Sequence, residues 1–347
     1  MTVFILEGLE KWSPFQVDAL GLVTLIGAEQ VDRVLGQLAW NTITEWLPTL
    51  GAYIFATDQI TEPIPGFTLY NITDGILATD LAGWFSRWLL CQDLTFCSST
   101  IHIVGTNPGA GKPGRQHFKQ ICSLALGSMT IVPVVLSILV GDWWGLANTT
   151  AMLASVLVRQ IILYQNRLAL DLAMEESERT SCEYVKVLIT LPNGKVVTVY
   201  TTRGIVIDCL LTTPRPPNPK LYSVSRVAGW FAFGVHVISL GMASLFSQII
   251  SVILLISATI LVVRQIGTDR KRIGRRMVFE RFDSQAEFRA ATYARLDLTM
   301  NEEDSMVLWN LFPHRSNESW WNKYRMAKEA GDFTSWKMIL ARPDRPT

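Results

Sequence analysis

Apolar residues along this chain gather into long uncharged blocks, and the longest of them match the width of a bilayer. "ICSLALGSMTIVPVVLSILV" (121–140) runs for 20 residues without a charge. At about 1.5 Å per helical residue, about 20 apolar residues span a hydrocarbon core. "GDWWG" (141–145) interrupts it with two glycines, and a second block runs from Leu146 to Tyr164 with Arg159 inside it. A third block covers 227–263, and its 37 residues are too many for one ordinary span. Divided near "ASLFSQ", it gives a second hairpin. The pattern predicts an all-α polytopic membrane protein with about four transmembrane helices in two hairpins.

Between the hairpins the period changes. "YVKVLITLPNGKVVTVYTTRGIVIDCLLTTP" (184–214) has β-branched runs on both sides of Asn193-Gly194. That dipeptide predicts a type I′ hairpin, with a third run at 204–211 completing a small cytosolic β-meander. "NRLALDLAMEESER" (166–179) before it reads as a polar amphipathic helix. The five expected regions are an N-terminal helical or interfacial one (1–110), hairpin 1 (111–164), the cytosolic insert (165–226), hairpin 2 (227–263) and a C-terminal region of short cytosolic helices (264–347). Within the first, "LGQLAWNTITEWLPTLGAYIFAT" (35–57) carries one charge, Glu45. It fits a fifth span, a re-entrant segment or an interfacial helix; Pro48 weighs against a simple span.

Charge sets an orientation. Lys112, Arg115 and Lys119 precede the first block and Arg167 follows the second. Arg215, Lys220 and Arg226 precede the third, and "RQIGTDRKRIGRR" (264–276) follows it. Neither hairpin loop carries Lys or Arg. By the positive-inside rule, both termini and the insert face the cytosol.

Composition agrees with a membrane protein. Hydrophobic residues make up 49% of the chain, charged residues 18%, and the mean hydropathy is +0.25. A net charge of +1 argues against a nucleic-acid partner. The five cysteines (Cys91, Cys97, Cys122, Cys182, Cys209) show neither a CxxC pair nor zinc spacing. "GTNPGAGKPGRQHFKQ" (105–120) is no P-loop: five residues separate Gly105 from Gly111, and Pro113 follows Lys112. It serves instead as a basic flank. HExxH, GxSxG, DDxxD and DxDD motifs are all missing, so no metal or cofactor is expected.

Acids beside indoles are the remaining chemistry. Glu45 adjoins Trp46, and Asp142 adjoins Trp143 and Trp144. Asp80, Trp84 and Trp88 recur every four residues, which puts them on one helix face. Desolvation raises a carboxyl group's pKa and keeps it ready as a general acid, while aromatic faces steady a developing cation. The bland alternatives are helix caps and interfacial belts. His236, in mid-span, is the next proton-donor candidate, or else a helix–helix hydrogen bond. Arg159 near the cytosolic end of its block reads as a snorkelling side chain.

"GWFSRW", "DWWG", the Asn-Gly meander and "LWNLFP…SWWNKY" together resemble the small integral membrane terpene cyclases of fungal meroterpenoid biosynthesis, of the macrophorin and ascofuranone type. The resemblance implies cyclisation of a farnesyl chain on an oxygenated ring, begun by protonating an alkene or epoxide. It implies a lipophilic prenylated substrate drawn from membrane lipid, no cofactor, and a location in the endoplasmic reticulum or another endomembrane. It does not assign the acid. Asp80, Asp142 and Glu45 are candidates from local chemistry, with Trp84, Trp88, Trp143, Trp144, Trp46 and His236 around the substrate. A non-catalytic membrane scaffold or a transporter component are the rival classes.

Overall fold

The computed structural model describes residues 28–41, 44–94, 99–106, 130–283 and 296–330. Its strands are β1 (Ala39–Asn41), β2 (Thr68–Asn71), β3 (Ile76–Ala78), β4 (Ser99–Gly105), β5 (Tyr184–Thr190), β6 (Val196–Thr202), β7 (Thr268–Ile273) and β8 (Met277–Asp283). Its longer helices are α1 (Ala28–Gly36), α2 (Tyr53–Thr57), α3 (Gly83–Cys91), α4 (Ile131–Val140), α5 (Trp143–Thr180), α6 (Pro219–Met242), α7 (Leu245–Val263), α8 (Met300–Leu308) and α9 (Glu318–Ala330).

All eight strands join one mixed sheet in the order β1-β7-β8-β4-β6-β5-β2-β3. Only β4 and β6 run parallel; the other pairs are antiparallel. Strand side chains alternate between faces, and the two faces carry different cores. Val185, Val187 and Ile189 of β5, with Val197 and Val199 of β6, pack against α3 and the second half of α5. Leu188 and Val196 point the other way, into a core closed by Met306, Phe312, Trp321 and Tyr324 from the C-terminal helices. A capping box starts α8: Thr299 accepts from the Glu302 N–H, and Glu302 accepts from the Thr299 N–H.

This sheet overturns the all-α expectation. The meander also takes another form. Gly194 donates to the Leu191 carbonyl at 2.9 Å and alone in the loop has positive φ, +77°. That is a type I turn followed by a left-handed glycine, a three-residue loop, where Asn-Gly predicted type I′. Residues 203–211 turn helical and form no third strand. Instead β5 pairs with β2 and β6 with β4. The basic run after 263 also supplies strands, β7 and β8, as well as flanking charge. The expected C-terminal helices are present, lying on the sheet.

Four spans become three among the described residues. α5, α6 and α7 are long and apolar enough to cross a membrane; α4 is a shorter apolar helix of 10 residues. The first half of the predicted 121–140 span lies outside the described residues. α5 is 38 residues long, about 57 Å. It exceeds a hydrocarbon core of about 30 Å, so its second half continues past the apolar block and docks on the sheet. Segment 35–57 is neither a span nor one helix. It holds β1, an irregular stretch and the single turn of α2.

Candidate functional site

The irregular stretch 44–52 is buried against the bundle, and two arginines of α5 hold it there. Bare backbone at such depth needs internal partners, because no water satisfies it. Arg159, 3% exposed, supplies them. Its guanidinium donates to Thr49 Oγ1 (2.9 Å), the Glu45 carbonyl (2.7 Å) and the Leu47 carbonyl (2.6 Å). Gln160 donates to the same Glu45 carbonyl at 2.5 Å. Arg159 therefore does not snorkel; it braces a folded-in loop. Two turns further on, Arg167 donates to the carbonyls of Leu38 (3.0 Å) and Ala39 (2.8 Å) and pairs with the Glu45 carboxylate (2.5 Å). The Trp40 ring lies 4.0 Å from its guanidinium carbon.

Between this loop and the helices lies a small, partly open cavity of about 20 Å³. Pro48, Ala52 and Phe55 wall it from the loop side, Met152 and Val156 from α5, and Leu255 from α7. Four polar residues also line it: Thr49, Ser155, Arg159 and His236. His236 is 4% exposed. Arg159 Nε and His236 Nδ1 are both buried and have no hydrogen-bond partner among the described residues. Buried polar nitrogens without partners are uncommon, and here two belong to one cavity.

The three acids predicted from their indole neighbours sit elsewhere. Asp80 is exposed and lies before the N-terminus of α3, so it shares no helix face with Trp84 and Trp88. Those two rings are core: Trp84 Nε1 donates to the Cys209 carbonyl (3.0 Å), Trp88 Nε1 to the Arg270 carbonyl (3.1 Å), and Trp88 packs 4.1 Å from Phe279. Glu45 is taken up by Arg167, and the indole over that pair is Trp40, not Trp46. Trp46 is half-buried.

Asp142 clamps the two hairpin tips together. It caps α5 by accepting from the Gly145 N–H (2.8 Å). Its other oxygen accepts from the Ser244 N–H (2.9 Å) and hydroxyl (2.7 Å) at the start of α7. A Cβ on Gly145 would come 2.7 Å from Ser247 Oγ and 2.8 Å from Asp142 Oδ2, so a larger residue would push on the clamp itself. Burial alone pushes the Asp142 carboxyl up, but the hydrogen bonds from Gly145, Ser244 and Ser247 outweigh it and hold it below the usual range. Asp142 is itself buried, whereas Trp143 and Trp144 are 78% and 47% exposed.

Of the nine residues singled out from sequence, the cavity receives His236 alone, with Glu45 contributing its carbonyl to the neighbouring loop. Sequence reasoning missed Arg159 as a site residue. Its signal was an arginine facing a proline-broken apolar segment that needed donors. Among the described residues no cluster of His, Cys, Asp or Glu could hold a metal ion. No protein-family model matches the chain, and neither does any curated protein or solved structure.

Proposed function

We propose that this chain is an integral membrane scaffold that fixes a cytosolic β-sheet module against an endomembrane such as the endoplasmic reticulum. One observation carries the reading: the buried charged groups of the helices and the loop beside them are spent on holding parts together. Arg159 and Arg167 tie the loop and β1 to α5, Asp142 ties the hairpin tips, and Glu45 neutralises Arg167. Both termini are cytosolic, since the basic residues flanking the apolar helices gather on the sheet's side. A glycosylation acceptor inserted at Asn193-Gly194 stays unmodified in microsomes; robust modification there refutes the orientation.

A specific observation keeps a second reading. The Arg159–His236 cavity is where a terpene cyclase of the resembling type would seat only the reacting end of a lipophilic prenylated molecule, its chain lying outside, with His236 as the proton-donor candidate. Asp80 is exposed, Asp142 is taken up as a cap by Gly145 and Ser244, and Glu45 is paired with Arg167, so none of the three stands as a free buried acid. Microsomes carrying only this protein, given a linear prenylated precursor, decide between the two. The scaffold reading expects no product. An isomer of unchanged mass, formed by the wild type and lost in His236→Gln, overturns it in favour of the cyclase.

A further inference from the structure

We propose that the bulge Arg270-Lys271-Arg272 in β7 is a binding surface for anionic phospholipid headgroups of the cytosolic leaflet. It rests on the reading above that α5, α6 and α7 cross the membrane with the sheet on the cytosolic side. The register of β7 sets these three residues apart. On one side β1 pairs with Thr268, Asp269 and Ile273, so Ala39 and Trp40, neighbours on β1, face residues four apart on β7. On the other side β8 meets only Arg272 and Ile273. Arg270 and Lys271 therefore pair with neither neighbouring strand, and Arg272 has no counterpart on β1. The residues that loop out of the ladder are all cations. Bulges re-aim side chains in this way.

The bulge is fixed from beneath. The Arg270 carbonyl accepts from Trp88 Nε1 (3.1 Å), and the Trp88 ring is buried in the core. The Lys271 N–H donates to Asp269 Oδ1 (3.1 Å). The backbone is held while the Arg270 and Lys271 side chains are exposed and Arg272 is half-buried. Among the described residues none of the three forms an ion pair, and neither does Arg264. Several other cations near the apolar helices are spent internally. Arg167 pairs with Glu45, Arg226 with Asp58 and the Ala56 and Thr57 carbonyls, and Arg276 with Glu175 and Glu178.

Position selects the partner. α7 ends at Val263, and Arg264 caps it. The chain then turns at once: the Thr268 N–H donates to the Gln265 carbonyl (3.1 Å), with positive φ at Gln265 and Gly267. β7 begins there, so the bulge stands two residues into a strand that leaves directly from an apolar helix of membrane length. Arg264, Arg270, Lys271 and Arg272 face a single acid in this stretch, Asp269, in a chain whose net charge is only +1. The basic charge is thus local and lies at the bilayer's edge. Four cations beside the cytosolic end of a span attract anionic lipid, each adding to the pull.

The test uses the full-length protein in phosphatidylcholine vesicles holding a trace of spin-labelled phosphatidylserine or phosphatidylcholine. Electron paramagnetic resonance separates lipid held at the protein from bulk lipid and gives the relative association of the two headgroups. The wild type should hold phosphatidylserine about 5-fold more strongly, the worth of one cation near the membrane surface. The preference should shrink in 1 M salt, where screening acts over about 3 Å. Arg270→Gln/Lys271→Gln/Arg272→Gln should bring the ratio close to one. Arg215→Gln/Lys220→Gln, at the cytosolic start of α6, should leave it near the wild-type value. An unchanged total of held lipid shows that both variants insert and fold. Equal loss in the two variants, or a preference that inorganic phosphate abolishes at constant ionic strength, overturns the proposal; the second result assigns the bulge to a soluble phosphate ligand. A random oligonucleotide that binds the wild type but not the triple variant, without lipid preference, assigns it to nucleic acid and overturns it too. Held lipid without preference removes this inference alone, whereas no held lipid at all removes the membrane reading beneath it.

Discussion

Replacing Arg159 separates a brace from a mere buried charge, and the two ideas predict opposite rankings of variants. The guanidinium serves three acceptors at 2.6 to 2.9 Å. Its only carboxylate neighbour, Glu45, is paired with Arg167 instead. In Arg159→Met the Glu45 carbonyl keeps Gln160 as donor at 2.5 Å. The Leu47 carbonyl is left alone, at a cost of about 1–3 kcal/mol, partly offset because no charge has to be desolvated. In Arg159→Lys the charge stays buried, but one ammonium cannot reach three acceptors set for a planar fork. Losing two charge-assisted bonds at about 1.5–3 kcal/mol each makes lysine the worse replacement, by about 2 kcal/mol. Reversible unfolding in mixed detergent gives the ranking, and hydrogen exchange in nanodiscs locates the damage. Amides of 45–57 should lose protection in both variants and more in lysine, while β5 and β6 stay protected. A lysine variant more stable than the methionine one, or wild-type exchange at 45–57 in both, refutes the brace.

Three further outcomes follow from other contacts. The Asp142→Ala and Ser244→Ala pair should show a coupling of about 0.5–2 kcal/mol in a double-mutant cycle, the range for intramembrane hydrogen bonds; additive effects would mean that the tips are not clamped. The Asp74 carboxyl is held below its ordinary value of 3.8, chiefly by the hydrogen bond from Arg203. A lowered folded-state value means that its contribution is complete above about 3.8 and is lost as pH falls further; protection factors at 71–74, corrected for the intrinsic exchange rate at each pH, should therefore fall below about 3.8 in the wild type, and Asp74→Asn should show the lower protection already at neutral pH. Burial pushes the Cys91 thiol to about 11 and Cys209 to about 12, whereas Cys182 is exposed; among these three, a maleimide at neutral pH should modify Cys182 alone in the folded protein.

The apolar blocks were legible because a bilayer-length run is its own signal. Those at 146–164 and 227–263 became α5, α6 and α7, divided at the tip that was read from "ASLFSQ". The β5–β6 pair was legible from its β-branched runs. The rest of the sheet was not, for two reasons. β1, β2 and β3 are three or four residues long, too short for any period to register. β7 and β8 carried a legible alternation in "MVFERFD", where Met277 and Phe279 share the buried face, but their arginines drew attention to membrane flanking instead. The site failed differently. Adjacency in sequence put each acid beside an indole; in space Trp84 and Trp88 went to a core and Trp143 to the surface. Sequence neighbours share surroundings only when the backbone points them alike. The loop before α3 and the turn before α5 do not.

The position of the two arginines explains why one helix runs from the bilayer into the sheet. Arg159 and Arg167 are eight residues apart on α5, a little over two turns, so they lie about 80° apart around the helix and about 12 Å from each other along the axis. The first grips the loop at 45–49 and the second grips β1, the edge strand paired with β7. Between them Ile162 and Leu163 are fully buried in the same core as the sheet. A break in α5 anywhere between 159 and 167 would put the loop and the sheet edge out of register with each other. The helix here has no proline and no glycine, and Gln165 and Asn166 on this stretch are buried without interrupting it. Rigidity at this junction is therefore what the residues are arranged to provide. Any ligand that moves the loop at the cavity acts on the sheet through a strut that transmits displacement instead of absorbing it.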